Sequence, residues 1–397
     1  MSARTQNFQW TLNLMKQTLS AVARRSLSPS QRYRLRHLAS QARELAARAC
    51  VWRWEISRFR LQHESAHDIL YVGRKQQRDM AKLLMTGLAS PPSAMISPAE
   101  PTTRRPVVMV SEVPTAGALT VPHYVSAVVP LGRPLEDITA RYDSELRRSI
   151  RKHRPLYHMR QALSDEDIES ADREFLRPYA TARKGLLASQ IPTDEVFRIA
   201  RQVGRLDLIV QDDQVIGCHL GCEVVRAGKR YWSTVRFGYC EAVFSDAKRL
   251  REVNSITTYM AMEWALGQGF DYYDIGLCLA RPDDGLLKWK RRRGGDVDSL
   301  GNHAHLFVRL PKSGIAHFLW ETPLFAVEGD KLTLHLGVPD GASEQALASR
   351  YHEMVFGGLS KIYLYGATGA GDQLIAALRQ RYAGLPSAPA MEIITCT

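Results

Sequence analysis

Apolar positions in the middle of the chain switch between the spacing typical of helices and that typical of strands. In order, we predict a helix at 135–154, a strand at 157–161, helices at 164–184 and 193–203, strands at 205–211, 214–225 and 230–239, a helix ending at Leu266 and a strand at 272–276. The last helix is predicted to begin at Asn254 or Ser255. Short polar turns separate the three consecutive strands, which makes them antiparallel neighbours. This order indicates an α/β (α+β) protein.

The regions on either side of this middle part have weaker patterns. Residues 8–62 have helix-like spacing, and short strands and one helix are predicted between 69 and 129. A chain of 397 residues is long enough for two or three structural units. We therefore divide it into a basic helical segment (1–62), a small αβ unit (63–134), a central domain (135–310) and a C-terminal αβ extension (311–397).

The positive charge is concentrated at the N-terminus. The net charge is +12, and the first 80 residues contain 15 Lys and Arg against 5 Asp and Glu. Such a segment could contact an anionic membrane surface or a nucleic acid such as tRNA. It is equally consistent with an ordinary solvated helical face, and both interpretations stay open.

The cysteines and the hydropathy favour a cytoplasmic protein. The spacing of the six cysteines fits no disulfide framework, and free thiols are favoured over a metal site at Cys218, His219 and Cys222. No metal is therefore expected. No run of 18 apolar residues is present, so no transmembrane helix is expected. Association with a membrane surface through the basic N-terminus remains the alternative localisation.

Four stretches of the central region form a recognisable set: Y-D-S-E-L-R-R-S-I-R-K at 142–152, Q-D-D-Q-V-I-G at 211–217, G-F-D-Y-Y-D-I-G at 269–276 and L-K-W-K-R-R-R-G-G at 287–295. In this order they resemble the GNAT superfamily, and within it the FemAB-like and BioF2-like acetyltransferases. The resemblance covers the middle of the chain. It implies a GNAT-like mixed, largely antiparallel sheet flanked by helices, with residues 60–130 as a partial first lobe if the fold is tandem.

The resemblance also implies an activity, N-acyl transfer from a thioester to an amine. The expected co-substrate is an acyl-CoA, with acetyl-CoA favoured, and the acceptor is an amine on a sugar, a peptide or a small metabolite. In GNAT folds the donor's pyrophosphate lies at a helix N-terminus, where backbone N–H groups bind anions. The corresponding donor-binding candidates here are Arg249, Arg251, Asn254, Ser255 and Arg291. The usual glycine-containing phosphate loop is missing between residues 245 and 256.

Candidate catalytic residues follow from the same motifs. Lys290 matches the lysine of the family's (W/F/Y)K motif, which implies stabilisation of the charge that forms on the reacting carbonyl. Asp274 matches the aspartate of a Y-D-F-G motif and is a candidate general base or orienting group, or else a structural acceptor. Glu223 is the second candidate base, and Tyr239 and Tyr273 are candidate proton donors.

Two other functions remain open at this point. The donor could be an aminoacyl-tRNA, as for FemAB-type enzymes, with the basic N-terminus following the phosphates. The fold could also be a degenerate transferase that binds a partner without catalysis. Hydrolase, metalloprotease and kinase functions are not predicted.

Overall fold

The structure is a computed structural model. It describes residues 54–60, 67–86, 94–96, 107–184, 191–299, 304–352, 356–366 and 388–396, with isolated positions at 42, 354, 376, 379 and 380. The helices predicted within residues 8–53, and with them the basic surface proposed to contact tRNA or a membrane, lie outside the described residues.

The described residues form both strands and helices. The strands are β1 (Trp54–Arg60), β2 (Asp68–Arg74), β3 (Ala94–Ile96), β4 (Val107–Ser111), β5 (Leu119–Pro122), β6 (Tyr124–Pro130), β7 (Tyr157–Gln161), β8 (Gly204–Gln211), β9 (Gln214–Arg226), β10 (Lys229–Tyr239), β11 (Tyr272–Leu279), β12 (Asp296–Asp298), β13 (His305–Arg309), β14 (Leu324–Glu328), β15 (Lys331–Val338), β16 (Leu359–Gly366) and β17 (Ala390–Thr395). The helices are α1 (Lys75–Thr86), α2 (Leu135–Ala140), α3 (Ser144–His153), α4 (Asp165–Ala171), α5 (Arg177–Lys184), α6 (Thr193–Arg198), α7 (Glu241–Phe244), α8 (Ala247–Gly267), α9 (Gly285–Arg291), α10 (Ile315–Glu321) and α11 (Glu344–His352).

The central sheet has seven strands in the order β12-β6-β11-β10-β9-β8-β7. Strands β7 to β10 are antiparallel neighbours. Helix α8 then crosses over, so that β11 lies parallel to β10. The predicted class is confirmed, because the sheet is mixed, largely antiparallel and flanked by helices.

The turns of the β8–β9 and β9–β10 hairpins lie in the breaks between the predicted strands. Asp212 and Asp213 both have positive φ, 48° and 60°, and Ala227 and Gly228 have φ of 48° and 77°. Two consecutive residues with positive φ match the right-handed twist of an antiparallel pair. The D-D pair at 212–213 and the A-G pair at 227–228 therefore close the two hairpins, within the breaks between the predicted strands.

Two further sheets share a hydrophobic core with each other and with strands β6, β11 and β12 of the central sheet. A six-stranded sheet has the order β3-β1-β2-β4-β13-β5, and a four-stranded sheet has the order β14-β15-β16-β17. Strand pairing crosses two of the predicted boundaries, since β6 joins the central sheet and β13 joins the six-stranded one. The boundaries at 134 and 310 remain predictions about independent folding units.

Two sequence predictions of helix are wrong in part. Residues 54–60, predicted as helix, form β1, which pairs with β2 along its whole length. The buried Arg58–Asp68 ion pair joins these strands, so long-range pairing overrides the local helical spacing. The helix predicted at 135–154 is two helices, because the Asp143 side chain accepts the Leu146 N–H and starts a new helix.

The described residues bear on two further expectations, the absence of a transmembrane helix and the presence of free thiols. No helix within the described ranges combines the length and the apolar character needed to cross a membrane. The five cysteines in those ranges are free, as expected.

Helix α10 lies against β15 at a close backbone approach. A Cβ on Gly337 would be 1.8 Å from the carbonyl oxygen of Ala316. We expect Gly337→Ala to lower the free energy of unfolding by about 1–3 kcal/mol, because the helix must shift away. Urea unfolding measures this change. Gly132→Ala is the control, since nothing lies within 4 Å of its Cβ position, and an equal loss in both variants would contradict the expectation.

Candidate functional site

The central sheet opens between its two parallel strands. Pairing of β10 with β11 covers three residues on each strand and ends at Ser233 and Asp274. Beyond that point β10 continues along β9 as far as Tyr239, and β11 continues along β6 as far as Leu279. The two strands therefore separate toward their carboxyl ends, which is where ligands bind in sheets with helical crossovers.

Both strands have a β-bulge where they separate. In β10, the register shifts between Thr234 and Arg236, and in β11 it shifts between Asp274 and Leu277. A bulge bends its strand and leaves backbone groups outside the regular ladder. The gap thus begins at two irregular segments that face each other across the sheet.

Asp274 lies in the β11 bulge and is almost fully buried. Its Oδ2 accepts hydrogen bonds from Arg226 Nη2 at 3.1 Å and from Ser233 Oγ at 3.0 Å. Its Oδ1 accepts the N–H of Gly276 at 2.8 Å, and Gly276 has a φ of +96°. The carboxylate thus holds the bulge and is paired with a guanidinium, as a buried charge must be.

Lys290 reaches the same bulge from α9. Its side chain is buried, and Nζ donates to the carbonyl oxygen of Gly276 at 2.7 Å and to that of Leu277 at 3.1 Å. Asp284 caps α9 by accepting the Leu287 N–H, which fixes the start of the helix that carries Lys290. The structure therefore brings Lys290 and Asp274 to opposite ends of one residue, Gly276.

The other catalytic candidates are placed differently. Glu223 is opposite Trp232 on β10 and makes an exposed ion pair with Arg230. Since Trp232 and Ser233 point to opposite faces of the sheet, Glu223 lies on the face away from Asp274. The structure therefore does not bring Glu223 together with the other two candidates.

The two candidate phenols are fully buried beside the gap. Tyr239 Oη donates to Asn254 Oδ1 at 3.1 Å, and Tyr273 Oη is 3.0 Å from Thr234 Oγ1. Burial raises the pKa of both tyrosines above the usual value of 10. Both side chains are therefore protonated at neutral pH and retain a donor O–H.

The predicted start of the helix after β10 is wrong. Helix α8 begins at Ala247, seven residues before Asn254, because the Asp246 side chain accepts the N–H groups of Lys248 and Arg249. The sequence prediction took the apolar run for the whole helix and overlooked this polar first part. As a result, Asn254 and Ser255 lie inside the helix, where their N–H groups are used by the helix itself.

The donor-binding candidates accordingly separate into three groups. Arg249 and Arg251 are exposed in the first turns of α8. Ser255 is buried, and its Oγ accepts a hydrogen bond from Arg293 Nη2 at 2.5 Å. Arg291 is half-buried at the end of α9.

Two arginines at the site were not singled out by sequence reasoning. Arg226 pairs with Asp274, and Arg293 joins α9 to α8 through Ser255 while stacking on Trp289, with 3.5 Å from Cζ to the ring centroid. Burial lowers the pKa of Arg293 to about 10. Arg293 belongs to the basic motif at 287–295, so the motif was a signal, but which of its arginines is buried depends on the position of α8.

A line of polar side chains crosses three strands next to the gap. His219 Nε2 on β9 lies 3.1 Å from Thr234 Oγ1 on β10, which in turn contacts the Tyr273 hydroxyl on β11. His219 is fully buried, and burial lowers its pKa to about 3. It is therefore a neutral imidazole in the folded protein. Its neighbour Cys218 is buried in a hydrophobic cluster.

Comparison with known proteins finds similarity in structure alone. No protein-family model matches the chain, and no curated protein matches it. L-PGS from Bacillus licheniformis is 11% identical over 65% of this chain and 84% of its own, with a TM-score of 0.33. FemX is 12% identical over 67% and 90%, with a TM-score of 0.36. A GCN5-related N-acetyltransferase from Anabaena variabilis is 9% identical over 85% of each chain, with a TM-score of 0.28. Similarity this low carries no argument about function.

The buried His219 makes stability depend on pH. Its folded-state pKa of about 3 lies below the unfolded value of 6.5, so only the unfolded chain binds this proton between those values. The free energy of unfolding therefore falls as pH decreases below about 6.5, by about 1.4 kcal/mol per pH unit for this group. We expect His219→Gln to reduce the slope of the free energy of unfolding against pH by about that amount. Urea unfolding at about pH 6, 5 and 4 measures this slope. His158→Gln, at an exposed position, is the control, and an unchanged slope in His219→Gln would contradict the assignment.

Proposed function

We propose that this protein is an N-acyltransferase that joins an acyl group from a thioester to an amine in the gap between β10 and β11. The observation that carries the proposal is the buried ammonium of Lys290 at the point where the two strands separate. The donor proposed is an acyl-CoA, and the acceptor is an amine on a sugar, a peptide or a small metabolite.

The reaction requires stabilisation of negative charge at one position. The amine nitrogen forms a bond to the thioester carbonyl carbon, and the carbonyl π electrons move to its oxygen. When they return, the C–S bond breaks and the thiolate takes up the proton that the amine loses. A fixed ammonium in a buried site lowers the energy of the intermediate oxyanion, because the surroundings screen the charge weakly.

Lys290 has the donors that this role requires. Two of its three N–H groups are accounted for by the carbonyl oxygens of Gly276 and Leu277, which fix the position of the ammonium. The remaining N–H is near the thiol of Cys278, a weak hydrogen-bonding group. A substrate oxyanion would replace that weak contact with a charge-assisted hydrogen bond.

The edges of the gap suit an extended donor arm. Beyond Ser233, β10 pairs with β9 on one edge, while β11 has turned away from its other edge. Backbone groups along such an edge can bond an extended chain in the manner of an added strand. The amide-containing arm of an acyl-CoA is a chain of this kind, and it would lead the thioester toward Gly276 and Lys290.

Asp274 is proposed as a positioning residue. Three donors already occupy its carboxylate, and it is buried together with Arg226. By holding the N–H of Gly276, it directs the carbonyl group of the same residue toward Lys290. Proton removal from the amine would then fall to water or to another group.

A second donor is favoured by one specific observation. The N–H groups at the start of α8, which would hold a pyrophosphate in a GNAT fold, are occupied by the Asp246 carboxylate. A diphosphate there would meet a negative charge. Arg249 and Arg251 would then have to bind the donor through their side chains, which also suits the phosphates of an aminoacyl-tRNA.

The role of Lys290 is tested by transfer of a labelled acetyl group from acetyl-CoA to a panel of amino sugars, amino acids and lysine-containing peptides. We expect Lys290→Ala to lower kcat by about 100- to 1,000-fold, as for removal of one oxyanion donor. The melting temperature of the variant separates loss of activity from loss of the fold. Arg292→Ala, at an exposed position in the same basic motif, is the control, and full activity in Lys290→Ala would refute the assignment.

The identity of the donor is tested by removing the negative charge of Asp246 at the start of α8. If an acyl-CoA binds there, Asp246→Asn should bind coenzyme A about two- to fivefold more tightly, because the helix terminus favours anions. Asp271→Asn is a matched control, since Asp271 also accepts a backbone N–H, that of Arg230, before β11 begins. No binding of coenzyme A by either variant or by the unaltered protein, with salt-dependent binding of aminoacyl-tRNA, would select the second donor.

A further inference from the structure

A second group of chemistry-bearing side chains lies outside the gap. His67 directly precedes β2 in the six-stranded sheet, and His317 and Glu321 lie on α10. One ligand atom from each of these three residues lies within 4.8 Å of the other two. None of the three is used in the proposed acyl transfer.

The two residues on α10 are arranged by the helix itself. His317 and Glu321 are four positions apart, so their side chains share one face. Nδ1 of His317 is 3.6 Å from Oε1 of Glu321. Gly314, with a φ of +70°, begins the helix and leaves room for His67, whose Nε2 would be 3.0 Å from a Cβ at that position. The helix and its glycine thereby direct both side chains toward a residue 250 positions earlier in the chain.

We propose that His67, His317 and Glu321 bind a divalent transition-metal ion of the Zn²⁺ class. Two imidazoles and one carboxylate are ligands that Zn²⁺ accepts, with a further position left for water. Neighbouring ligands of a tetrahedral Zn²⁺ are about 3.3–3.4 Å apart, given bond lengths of about 2.0–2.1 Å. The present separations can close to these values by rotation of His317 and Glu321, which are 51% and 30% exposed.

The surroundings of His67 suit a metal ligand. The imidazole is buried. The Phe318 ring contacts it edge-on, with 5.6 Å between centroids. Packing of this kind holds a ligand's ring in one orientation before the ion binds.

The sequence contains a related pattern that our sequence interpretation overlooked. Residues 63–67 are H-E-S-A-H, the spacing that holds zinc in metalloproteases when both histidines lie on one helix. Here the second histidine is followed at once by β2, whose first residue, Asp68, pairs with Arg60. The partners of His67 come instead from α10. The expectation of no metal considered only Cys218, His219 and Cys222.

A bound ion would connect two parts of the fold. His67 belongs to the β1–β2 hairpin of the six-stranded sheet, whereas α10 packs on β15 of the four-stranded sheet. An ion that binds only the folded state adds stability by mass action. The proposed site would thus fix α10 against the N-terminal hairpin.

The test uses the full-length protein without an affinity tag, first treated with a chelator. We expect isothermal titration with Zn²⁺ to show one equivalent bound, and Co²⁺ to give the visible absorption of a site with nitrogen and oxygen ligands. Mg²⁺ and Ca²⁺ should not bind, because imidazole suits transition metals and not these hard cations. Zn²⁺ should also raise the melting temperature of the unaltered protein.

Variants identify the ligands. The side chains of His317 and Glu321 are partly exposed, so His317→Ala and Glu321→Gln should leave the fold intact. Each substitution should weaken Zn²⁺ binding by at least about tenfold. His153→Ala is the matched control, since His153 faces Glu252 at 3.3 Å in a comparable pair outside this cluster. Zn²⁺ affinity that is unchanged in both test variants, equally weakened in His153→Ala, or absent from the unaltered protein would overturn the proposal.

Discussion

Two buried charges hold the peptide groups of Gly276, and the arrangement of the candidate site depends on them. The Asp274 carboxylate accepts its N–H, and the Lys290 ammonium donates to its carbonyl oxygen. Each charge has hydrogen-bonding partners, as burial requires, so the bulge is stable without regular pairing. Because of this bulge, β11 separates from β10 next to the Lys290 ammonium.

The same separation of strands sets the place where the proposed donor would enter. The gap opens toward the carboxyl ends of β10 and β11, and α8 begins on the same side because only the short helix α7 separates it from the end of β10. Its first N–H groups already have an anionic partner in Asp246. Binding of a phosphorylated donor would therefore rely on the side chains of Arg249 and Arg251. In a simple helix-terminus anion site, the backbone N–H groups bind the anion instead.

The proposed metal site and the gap use different parts of the molecule. The gap belongs to the central sheet, whereas His67 and α10 join the other two sheets, which share one core. Close approach of α10 to Gly337 sets the position from which His317 and Glu321 extend.

By itself the sequence determined the order of most elements in the central region and the hairpin turns at 212–213 and 227–229, and it singled out Lys290 and Asp274 as motif residues. Those features depend on periodicity and on residues close together in the chain. Only the tertiary structure decided that 54–60 is a strand and that Glu223 lies on the face of the sheet away from Asp274. The same holds for Arg226 beside Asp274 and for His67 beside α10. Each of these depends on which distant segment a residue meets when the sheets pair, and local spacing does not contain that information.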